Sequence, residues 1–218
     1  MRVLELFSGT ESFSKVAREL GHECTTIDNN PKFNPDICMD ILDLNPKQFR
    51  KGYFDLIWAS PPCTTFSIAS VGHHWNNHKP KTEECKKGIK ILEKTVKLIK
   101  YLEPKFWIIE NPMCMTRTLE IMKPLPRTTV TYCQYGDSRM KPTDLWNNFG
   151  FIGKRCKNGD KCHVSAPRGS RTGTQGLKNA TERGKVPREL CLEILKEVEN
   201  FSVGFANEVS KKDKEVNE

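Results

Sequence analysis

The first 28 residues contain two apolar runs separated by an amphipathic segment, and this arrangement restricts the chain to a sheet with parallel strands. Residues 2–7 and residues 24–27 are typical of buried strands. Between them, helical spacing predicts a helix that ends at Gly21 and buries Phe13, Val16, Ala17 and Leu20. A strand, a helix and a second strand in this order form a parallel crossover unit. The predicted fold class is therefore α/β.

A short polar loop joins the first strand to this helix, and an acidic residue ends the second strand. The loop holds a single glycine, so it lacks the G-x-G-x-x-G fingerprint of dinucleotide sites. Asp28 lies about 20 residues after the loop, where Rossmann-like folds bind a ribose. These features favour a nucleoside-containing ligand without a pyrophosphate. A crossover that binds no ligand is the alternative.

Cys63 follows the next buried run, residues 54–58, after two consecutive prolines. It is expected at the carboxyl edge of the sheet, where ligands bind in open α/β sheets and where a thiol can act as a nucleophile. Residues 106–109 predict another strand, which places Glu110 at the same edge if the strands are parallel. For Cys63 alone, an inert buried cysteine is the alternative interpretation.

The remaining elements follow from apolar spacing. The sequence predicts a short strand over residues 37–41, short helices over 45–50 and 119–122, a long helix over 82–102, a strand over 128–133, a further strand towards residue 146 and a final helix from Pro187. One face of the final helix carries Cys191, Ile194, Leu195, Val198 and Phe201. Residues 68–82 show no apolar period and predict an irregular polar loop, long enough to cover a site.

Two groups of metal-binding residue types occur, and neither has the spacing of a complete site. The three histidines within residues 73–78 have no cysteine or carboxylate at ligand spacing. Cys156, Cys162 and His163 could supply three zinc ligands, but a fourth is not evident from the sequence. No metal is therefore expected.

The positive charge of the chain is concentrated in one segment. The whole sequence has a net charge of +8, and residues 151–190 hold ten basic and three acidic side chains. A polyanionic partner explains this concentration, since each neutralised phosphate releases counterions. An ordinary lysine-rich surface or a disordered linker is the alternative. The residues of this segment expected to contact nucleic acid are Arg168, Arg171, Thr174 and Gln175.

The composition argues against a secreted or membrane protein. No run of about 18 apolar residues occurs, and the amino terminus lacks a signal-peptide pattern. Nine scattered cysteines suit a reducing compartment. We therefore expect a soluble intracellular protein with no membrane partner.

Three motifs in succession resemble those of the C5-cytosine DNA methyltransferases. Leu4-Glu5-Leu6-Phe7-Ser8-Gly9 resembles the first motif of that family, Ser60-Pro61-Pro62-Cys63 with Phe66-Ser67 its nucleophile motif, and Ile109-Glu110-Asn111 its acid motif. Their order and separation agree over about residues 1–147, and the short chain resembles phage or viral members. The resemblance implies a Rossmann-like sheet of an S-adenosylmethionine-dependent methyltransferase with a small basic target-recognition segment.

The resemblance also implies the roles of the catalytic residues. Attack by Cys63 on C6 of cytosine, with a proton supplied at N3 by Glu110, makes an enamine whose C5 accepts a methyl group. A base then removes the C5 proton and the sulfur leaves. Arg139 and Lys141 fall where the family has a basic motif that reaches the target nucleotide, and Ser67 is a further expected DNA contact.

By the same resemblance, the cofactor is S-adenosylmethionine and the partner is double-stranded DNA. The protein is expected to act as a monomer, in the cytoplasm or with the DNA of an infected host cell. The expected cofactor-binding residues are Phe7, Ser8, Gly9, Thr10, Glu11 and Ser12 for its amino acid part, Asp28 and Asn29 for its ribose, Asp40 and Ile41 for its adenine, and Pro61. Glu11 and Ser12 stand where the family has a glycine pair, and the final helix lacks the family's Gly-Asn-Ala-Val signature. Base flipping is implied, with the polar loop closing over the flipped base.

The expected organisation is a catalytic and cofactor-binding domain at 1–147, a target-recognition segment at 148–183, a C-terminal helix on the catalytic domain at 184–209 and a tail at 210–218. So short a recognition segment implies a short target sequence or loose specificity. Three other functions stay open: methylation of cytosine C5 in RNA, methylation of an amino group at N4 or N6, and nucleic-acid binding without catalysis. Cys63 and Glu110 together favour C5 chemistry, because a pure binder needs neither residue.

Overall fold

A computed structural model describes residues 1–68, 70–157, 159–164 and 179–215 of the chain, and for residues 180 and 203–215 it describes the backbone alone. The strands are β1 (Arg2–Leu6), β2 (Glu23–Asp28), β3 (Ile37–Cys38), β4 (Leu56–Ala59), β5 (Trp75–Asn76), β6 (Lys79–Pro80), β7 (Phe106–Pro112), β8 (Arg127–Thr131) and β9 (Pro142–Asn147). The helices are α1 (Ser12–Glu19), α2 (Val71–His74), α3 (Glu83–Leu102), α4 (Ala180–Gly184) and α5 (Arg188–Glu215).

Within the described residues, seven strands form one mixed sheet in the order β3-β2-β1-β4-β7-β9-β8. Strands β3, β2, β1, β4 and β7 pair in parallel, and β9 is antiparallel to both of its neighbours. In the register of the central strands, Leu6 pairs with Ala59 and Ala59 pairs with Ile109. The carboxyl ends of β1, β4 and β7 therefore meet at one edge. The predicted α/β class is confirmed.

Helices cover both faces of the sheet. Side chains along a strand alternate between its two faces, and the central strands have apolar side chains on both. Val3 and Trp58 pack on the side of α1 and α5, whereas Leu4 and Ile57 pack on the side of α3. The buried face of α3 includes Leu92, Val96, Ile99 and Leu102, and that of α5 includes Leu190, Cys191, Ile194, Leu195 and Val198. Both amphipathic helices were predicted correctly. Phe201 lies at the margin of this core, with 40% of its surface exposed.

The described part of residues 68–82 is more regular than the sequence predicted. Helix α2 and the β5–β6 hairpin form there. Trp75 is buried beside Phe66, and its indole N–H donates to the carbonyl oxygen of Thr65 over 2.7 Å. The expectation of an irregular loop was wrong, because two isolated aromatic side chains hold the segment without leaving a periodic pattern. Gly88 of α3 permits this packing, since a Cβ there would lie 3.0 Å from Thr65 Oγ1.

Smaller elements differ from prediction at their ends. The predicted strand over residues 128–133 stops at Thr131 and continues as a 3₁₀ helix, Tyr132–Tyr135. The helix predicted over 119–122 is replaced by a 3₁₀ helix at Met115–Thr118, and the one predicted over 45–50 is a 3₁₀ helix at Pro46–Gln48. The strand predicted over 37–41 ends at Cys38.

The predicted domain boundaries stay predictions. Phe151 and Cys156, which follow the predicted end of the catalytic domain, are buried, and the backbone N–H of Thr131 donates to the carbonyl of Lys154 over 3.1 Å. The predicted recognition segment thus begins in contact with the sheet. In the part of the chain that the structure describes, no helix combines the length and the apolar character that crossing a bilayer requires.

The stacked pair Phe13 and Trp58 joins α1 to the centre of the sheet, with ring centroids 4.5 Å apart. Replacing Phe13 with Ala removes a ring that has no exposed surface, and it should lower the free energy of unfolding by about 3–5 kcal/mol. Urea denaturation followed by circular dichroism measures this loss. The matched control, Ile152→Ala, alters a side chain that is 85% exposed and should change stability by less than about 0.5 kcal/mol. Equal losses in the two variants would contradict this account of the core.

Candidate active site

A cavity of about 250 Å³ opens at the carboxyl edge of β1, β4 and β7. The loops that follow β1 and β4 contribute most of its wall, including Ser8, Gly9 and Cys63, and β7 contributes Glu110. Lys141, Thr181 and Val186 also line the cavity. Residues from distant parts of the sequence therefore share one open cavity.

The loop after β1 is shaped by a carboxylate buried beneath it. Glu5 lies within β1 and accepts hydrogen bonds from the backbone N–H groups of Phe13 (3.3 Å) and Ser14 (2.8 Å) and from the hydroxyl of Ser14. It thus caps the first turn of α1, where backbone N–H groups otherwise lack partners. Burial raises the pKa of Glu5 to about 8, against the lowering effect of these backbone hydrogen bonds.

The same loop is tied to β2 and takes a conformation that normally favours glycine. Asp28 accepts a hydrogen bond from the N–H of Gly9 over 2.9 Å. Glu11 has a φ of 56°, in the left-handed region, and its carboxylate accepts a hydrogen bond from Arg18 over 2.6 Å. Among the described residues, the buried hydroxyl of Ser8 has no hydrogen-bond partner, although Ser8 lines the cavity. An unsatisfied hydroxyl in a cavity wall is suited to a polar ligand.

The loop after β4 is held by the end of β7. The side-chain amide of Asn111 donates to the carbonyl of Pro61 over 2.9 Å, and the hydroxyl of Thr116 donates to Asn111 Oδ1 over 2.8 Å. The carbonyl of Cys63 accepts hydrogen bonds from the backbone N–H groups of Phe66 and Ser67. Cys63 is thus fixed on both sides, and its side chain is partly buried in the cavity wall.

Glu110 is buried and has two partners that the sequence did not suggest together. The hydroxyl of Tyr132 donates to Glu110 Oε1 over 2.9 Å. Lys141 Nζ lies 4.0 Å from the same oxygen and 4.4 Å from the centroid of the Tyr132 ring. Burial, with the adjacent Glu110, raises the pKa of Tyr132 well above its ordinary value, so the phenol stays protonated and remains a donor.

The surroundings of the Cys63 thiol act on its pKa in opposite directions. Burial raises its pKa above the ordinary value, the positive charge of Lys141 opposes this rise, and the carboxylate of Glu110 adds to it. A thiol in this setting needs a local increase in positive charge, or neutralisation of Glu110, before it becomes a thiolate.

Not all of the residues predicted for the site line the cavity. Of the expected cofactor-binding residues, Phe7, Ser8, Gly9, Thr10, Ser12 and Pro61 line it, and Glu11, Asp28, Asn29, Asp40 and Ile41 do not. Asp40 lies 3.4 Å from Lys87 of α3, and the side chain of Ile41 packs in the core under that helix. Ser67 lies outside the cavity wall, with its hydroxyl 3.1 Å from that of Ser70. The predicted nucleic-acid contacts Arg168, Arg171, Thr174 and Gln175 lie outside the described residues.

Arg139 is directed away from the cavity. Its guanidinium binds the carboxylate of Asp137 through Nε, at 2.9 and 3.0 Å, and through a second nitrogen, and it donates to the carbonyl of Arg183 over 3.3 Å. Lys141 donates to the same carbonyl over 3.1 Å. Arg139 and Lys141 therefore both hold the end of α4, but only Lys141 reaches the cavity.

The segment before α5 contributes part of the cavity wall, and the sequence had suggested no site residues there. Thr181, Gly184 and Val186 line it. The N–H of Val186 donates to the hydroxyl of Ser12 over 3.3 Å, which joins this segment to the loop after β1. The one local signal is Asn179, whose side chain accepts a hydrogen bond from the N–H of Thr181 as a helix cap.

A family model and one curated relative identify the family of this chain. A family model described as C-5 cytosine-specific DNA methylase matches residues 1–118. A probable DNA (cytosine-5)-methyltransferase of Frog virus 3 (isolate Goorha) is 34% identical, in an alignment that covers 89% of this chain and 99% of that protein.

Solved structures are similar to this chain as well. The Dnmt2 methyltransferase of S. pombe has a TM-score of 0.49 and 16% identity, over 70% of this chain and 52% of its own. The Entamoeba histolytica methyltransferase EhMeth has a TM-score of 0.48 and 15% identity, over 72% and 57%. The chain thus spans about half the length of these solved structures.

The electrostatic account of Cys63 can be tested without substrate. Lys141→Met should raise the pKa of Cys63 further, because it removes the charge that opposes burial, and Glu110→Gln should lower it. The rate at which iodoacetamide alkylates Cys63, measured by peptide mass spectrometry between about pH 7 and 11, reports this pKa. Lys90→Met, which removes an exposed lysine of α3, should leave the profile unchanged. Identical profiles for all four proteins would show that the two charges do not act on the thiol.

Proposed function

This chain belongs to the C-5 cytosine-specific DNA methylase family, and we propose that it transfers a methyl group from S-adenosylmethionine to C5 of a cytosine in double-stranded DNA. One observation carries the proposal: Cys63 and Glu110 line the same cavity as the loop after β1. A nucleophile, an acid and a polar loop at a strand end are the three parts that this reaction needs in one place.

The chemistry assigns one step to each residue. C5 of cytosine is a poor nucleophile, so the Cys63 sulfur, after losing its proton, forms a bond to C6 while N3 takes a proton from Glu110. This converts the ring into an enamine with electron density at C5. After methylation, a base removes the C5 proton, the bond from sulfur to C6 breaks, and N3 returns its proton to Glu110.

The cavity wall suits the proposed cofactor. When bound, S-adenosylmethionine supplies an electrophilic methyl group on a sulfonium. The residues proposed to hold it are those of the loop after β1, where Ser8 presents a buried hydroxyl without a partner among the described residues. Asp28 fixes the Gly9 amide, and Thr181 and Val186 also line the cavity. Asp28, Asn29, Asp40 and Ile41 lie outside this wall, and they stay proposed contacts for the ribose and the adenine.

Tyr132 is proposed as the positioning residue for Glu110. Its hydroxyl fixes one carboxyl oxygen, Oε1, which orients the carboxyl group as a whole. Lys141, 4.0 Å away, is proposed to face the target base in place of Arg139, because the guanidinium of Arg139 is already bound to Asp137. Arg139 then acts indirectly, through the carbonyl of Arg183.

DNA is the proposed partner, and the chain is proposed to act on it as a monomer, inside the cell that holds that DNA. A base within a duplex cannot bring C6 to Cys63, so the cytosine must leave the stack, which costs a few kcal/mol. The basic residues 151–190 are proposed to bind the duplex around it. Residues 148–183 are proposed to select the target, and their small number favours a short or loosely defined sequence.

A covalent intermediate tests the function directly. In 5-fluorocytosine, fluorine replaces the hydrogen at C5. After methylation no C5 proton can be removed, so the elimination that releases Cys63 is blocked and its bond to C6 should persist. Incubation with S-adenosylmethionine should give a denaturant-resistant protein–DNA adduct, seen on a gel and mapped by mass spectrometry. Cys63→Ser should abolish it, and Cys38→Ser, which alters an exposed cysteine outside the cavity wall, should retain it. Adduct formation by the Cys63 variant, or adducts on RNA alone, would overturn the proposal.

Kinetics separates the acid from the residue that positions it. Glu110→Gln should lower the methylation rate about 10²- to 10⁴-fold, the usual contribution of a general acid. Tyr132→Phe should lower kcat about 10- to 100-fold, because it removes one hydrogen bond to a charged group. It should also shift the pH profile of kcat while leaving KM for DNA unchanged.

The matched control for this experiment is Tyr135→Phe. Its hydroxyl donates a partly buried hydrogen bond to Glu193 over 3.2 Å and accepts one from the N–H of Lys154 over 2.7 Å, but Tyr135 does not line the cavity. It should lose stability and keep its turnover. A normal kcat and pH profile in Tyr132→Phe would show that Glu110 needs no such support.

A further inference from the structure

Four potential metal ligands meet beside the end of β8. They are the side chains of Cys133, Cys156, Cys162 and His163, and their ligand atoms all lie within 4.8 Å of one another. Three of them are close together in the sequence, whereas Cys133 precedes them by more than twenty residues. We propose that these four residues bind a structural zinc ion.

Four distances between the ligand atoms lie within about 0.6 Å of those in a tetrahedral zinc site. Zinc bonds of about 2.3 Å to sulfur and about 2.0 Å to nitrogen place two sulfurs about 3.8 Å apart, and a sulfur and a nitrogen about 3.5 Å apart. The sulfur of Cys133 lies 3.2 Å from that of Cys156 and 3.7 Å from that of Cys162. The Nδ1 atom of His163 lies 3.8 Å from the Cys156 sulfur and 3.5 Å from the Cys162 sulfur.

The backbone brings these ligands together through contacts of its own. The N–H of Cys156 donates to the hydroxyl of Thr131 over 2.8 Å, which places Cys156 beside the end of β8. The N–H of Lys157 donates to the carboxylate of Asp160 over 2.7 Å, and the sulfur of Cys162 lies 3.7 Å from that of Cys133. The four ligands therefore come from two segments that contact each other.

The donor set favours zinc over magnesium and calcium. Three thiolates and one imidazole suit Zn²⁺, whereas magnesium and calcium require oxygen ligands. Four protein ligands leave no position for water or substrate, so the ion has a structural role. The side chain of Gln134 donates to the Cys162 sulfur over 3.2 Å, a contact that supports a thiolate in such a site.

A disulfide between Cys133 and Cys156 is the main competing explanation. Their sulfurs are 3.2 Å apart, well beyond the roughly 2.05 Å of a disulfide bond. A disulfide would also leave Cys162 and His163 without a reason to converge on the same point. The zinc site accounts for all four residues.

The proposed ion would fix the start of the basic segment to the catalytic domain. Cys133 directly follows Tyr132, the hydrogen-bond partner of Glu110. Just beyond His163, the N–H of Val164 donates to the carbonyl of Ser138 over 2.8 Å. The proposed ion would therefore join the segment that ends at Val164 to the 3₁₀ helix that begins at Tyr132.

Metal analysis of the full-length protein tests the proposal. Protein purified under reducing conditions should contain about one zinc ion per chain by plasma mass spectrometry, and X-ray absorption should show three sulfur ligands and one nitrogen ligand. Cys133→Ser and Cys162→Ser should retain at least about tenfold less zinc after dialysis against a chelator, because each lacks one of four ligands. Cys38→Ser, which alters an exposed cysteine outside the cluster, should keep its full zinc content.

A second measurement keeps the proposal open to refutation if the variants fail to fold. Wild-type protein stripped of zinc and titrated with Co²⁺ should develop the intense visible bands of tetrahedral cobalt with thiolate ligands. Three outcomes would each overturn the proposal. They are the absence of both zinc in the purified protein and the cobalt bands, full zinc retention by Cys133→Ser, and a mapped disulfide between Cys133 and Cys156. None of these readouts depends on methyl transfer, so the test is independent of the proposed function.

Discussion

The parallel pairing of β1, β4 and β7 is the constraint on which the site depends. In this register, Leu6, Ala59 and Ile109 lie side by side, so whatever follows each of them is delivered to one edge of the sheet. Glu110 is the residue directly after Ile109, and Cys63 lies four residues after Ala59. A slip by one residue in β7 would turn Glu110 to the opposite face of the sheet, because side chains alternate along a strand. The pairing thus decides whether the acid and the thiol share a cavity.

The loop after β1 shows how a glycine-poor sequence can keep a tight turn. Glu11 occupies the left-handed region that favours glycine, and such a conformation persists only where surrounding contacts fix it. Glu5 supplies one set of contacts, by capping α1, and Asp28 supplies another, by binding the Gly9 amide. Burial raises the pKa of the Glu5 carboxyl group to about 8, because its effect is larger than that of the backbone hydrogen bonds that lower the pKa.

The sequence predicted what periodicity and motif order encode, and missed what depends on tertiary contact. The helix faces of α3 and α5 and the edge that holds Cys63 and Glu110 follow from local apolar patterns. Tyr132 could not be assigned to Glu110, because it lies in a strand-like run whose end changes to a 3₁₀ helix. Cys133 was not recognised as a partner of Cys156 for the same reason. Thr181 and Val186 carry no periodic signal, and only the closure of the chain brings them to the cavity.

The two ends of the basic segment are attached to the two partners of Glu110. Where the segment leaves the catalytic domain, Cys156 lies beside Cys133, the neighbour of Tyr132. Where it returns, Lys141 and Arg139 both hold the carbonyl of Arg183. Tyr132 fixes one oxygen of Glu110, and Lys141 provides the positive charge beside it. A contact that displaces either end of this segment therefore changes the surroundings of the Glu110 carboxyl group. Because the charges of Glu110 and Lys141 act on the pKa of Cys63, the same contact changes that pKa as well. In so short a chain, the part that would recognise the target is built onto the part that would carry out the chemistry.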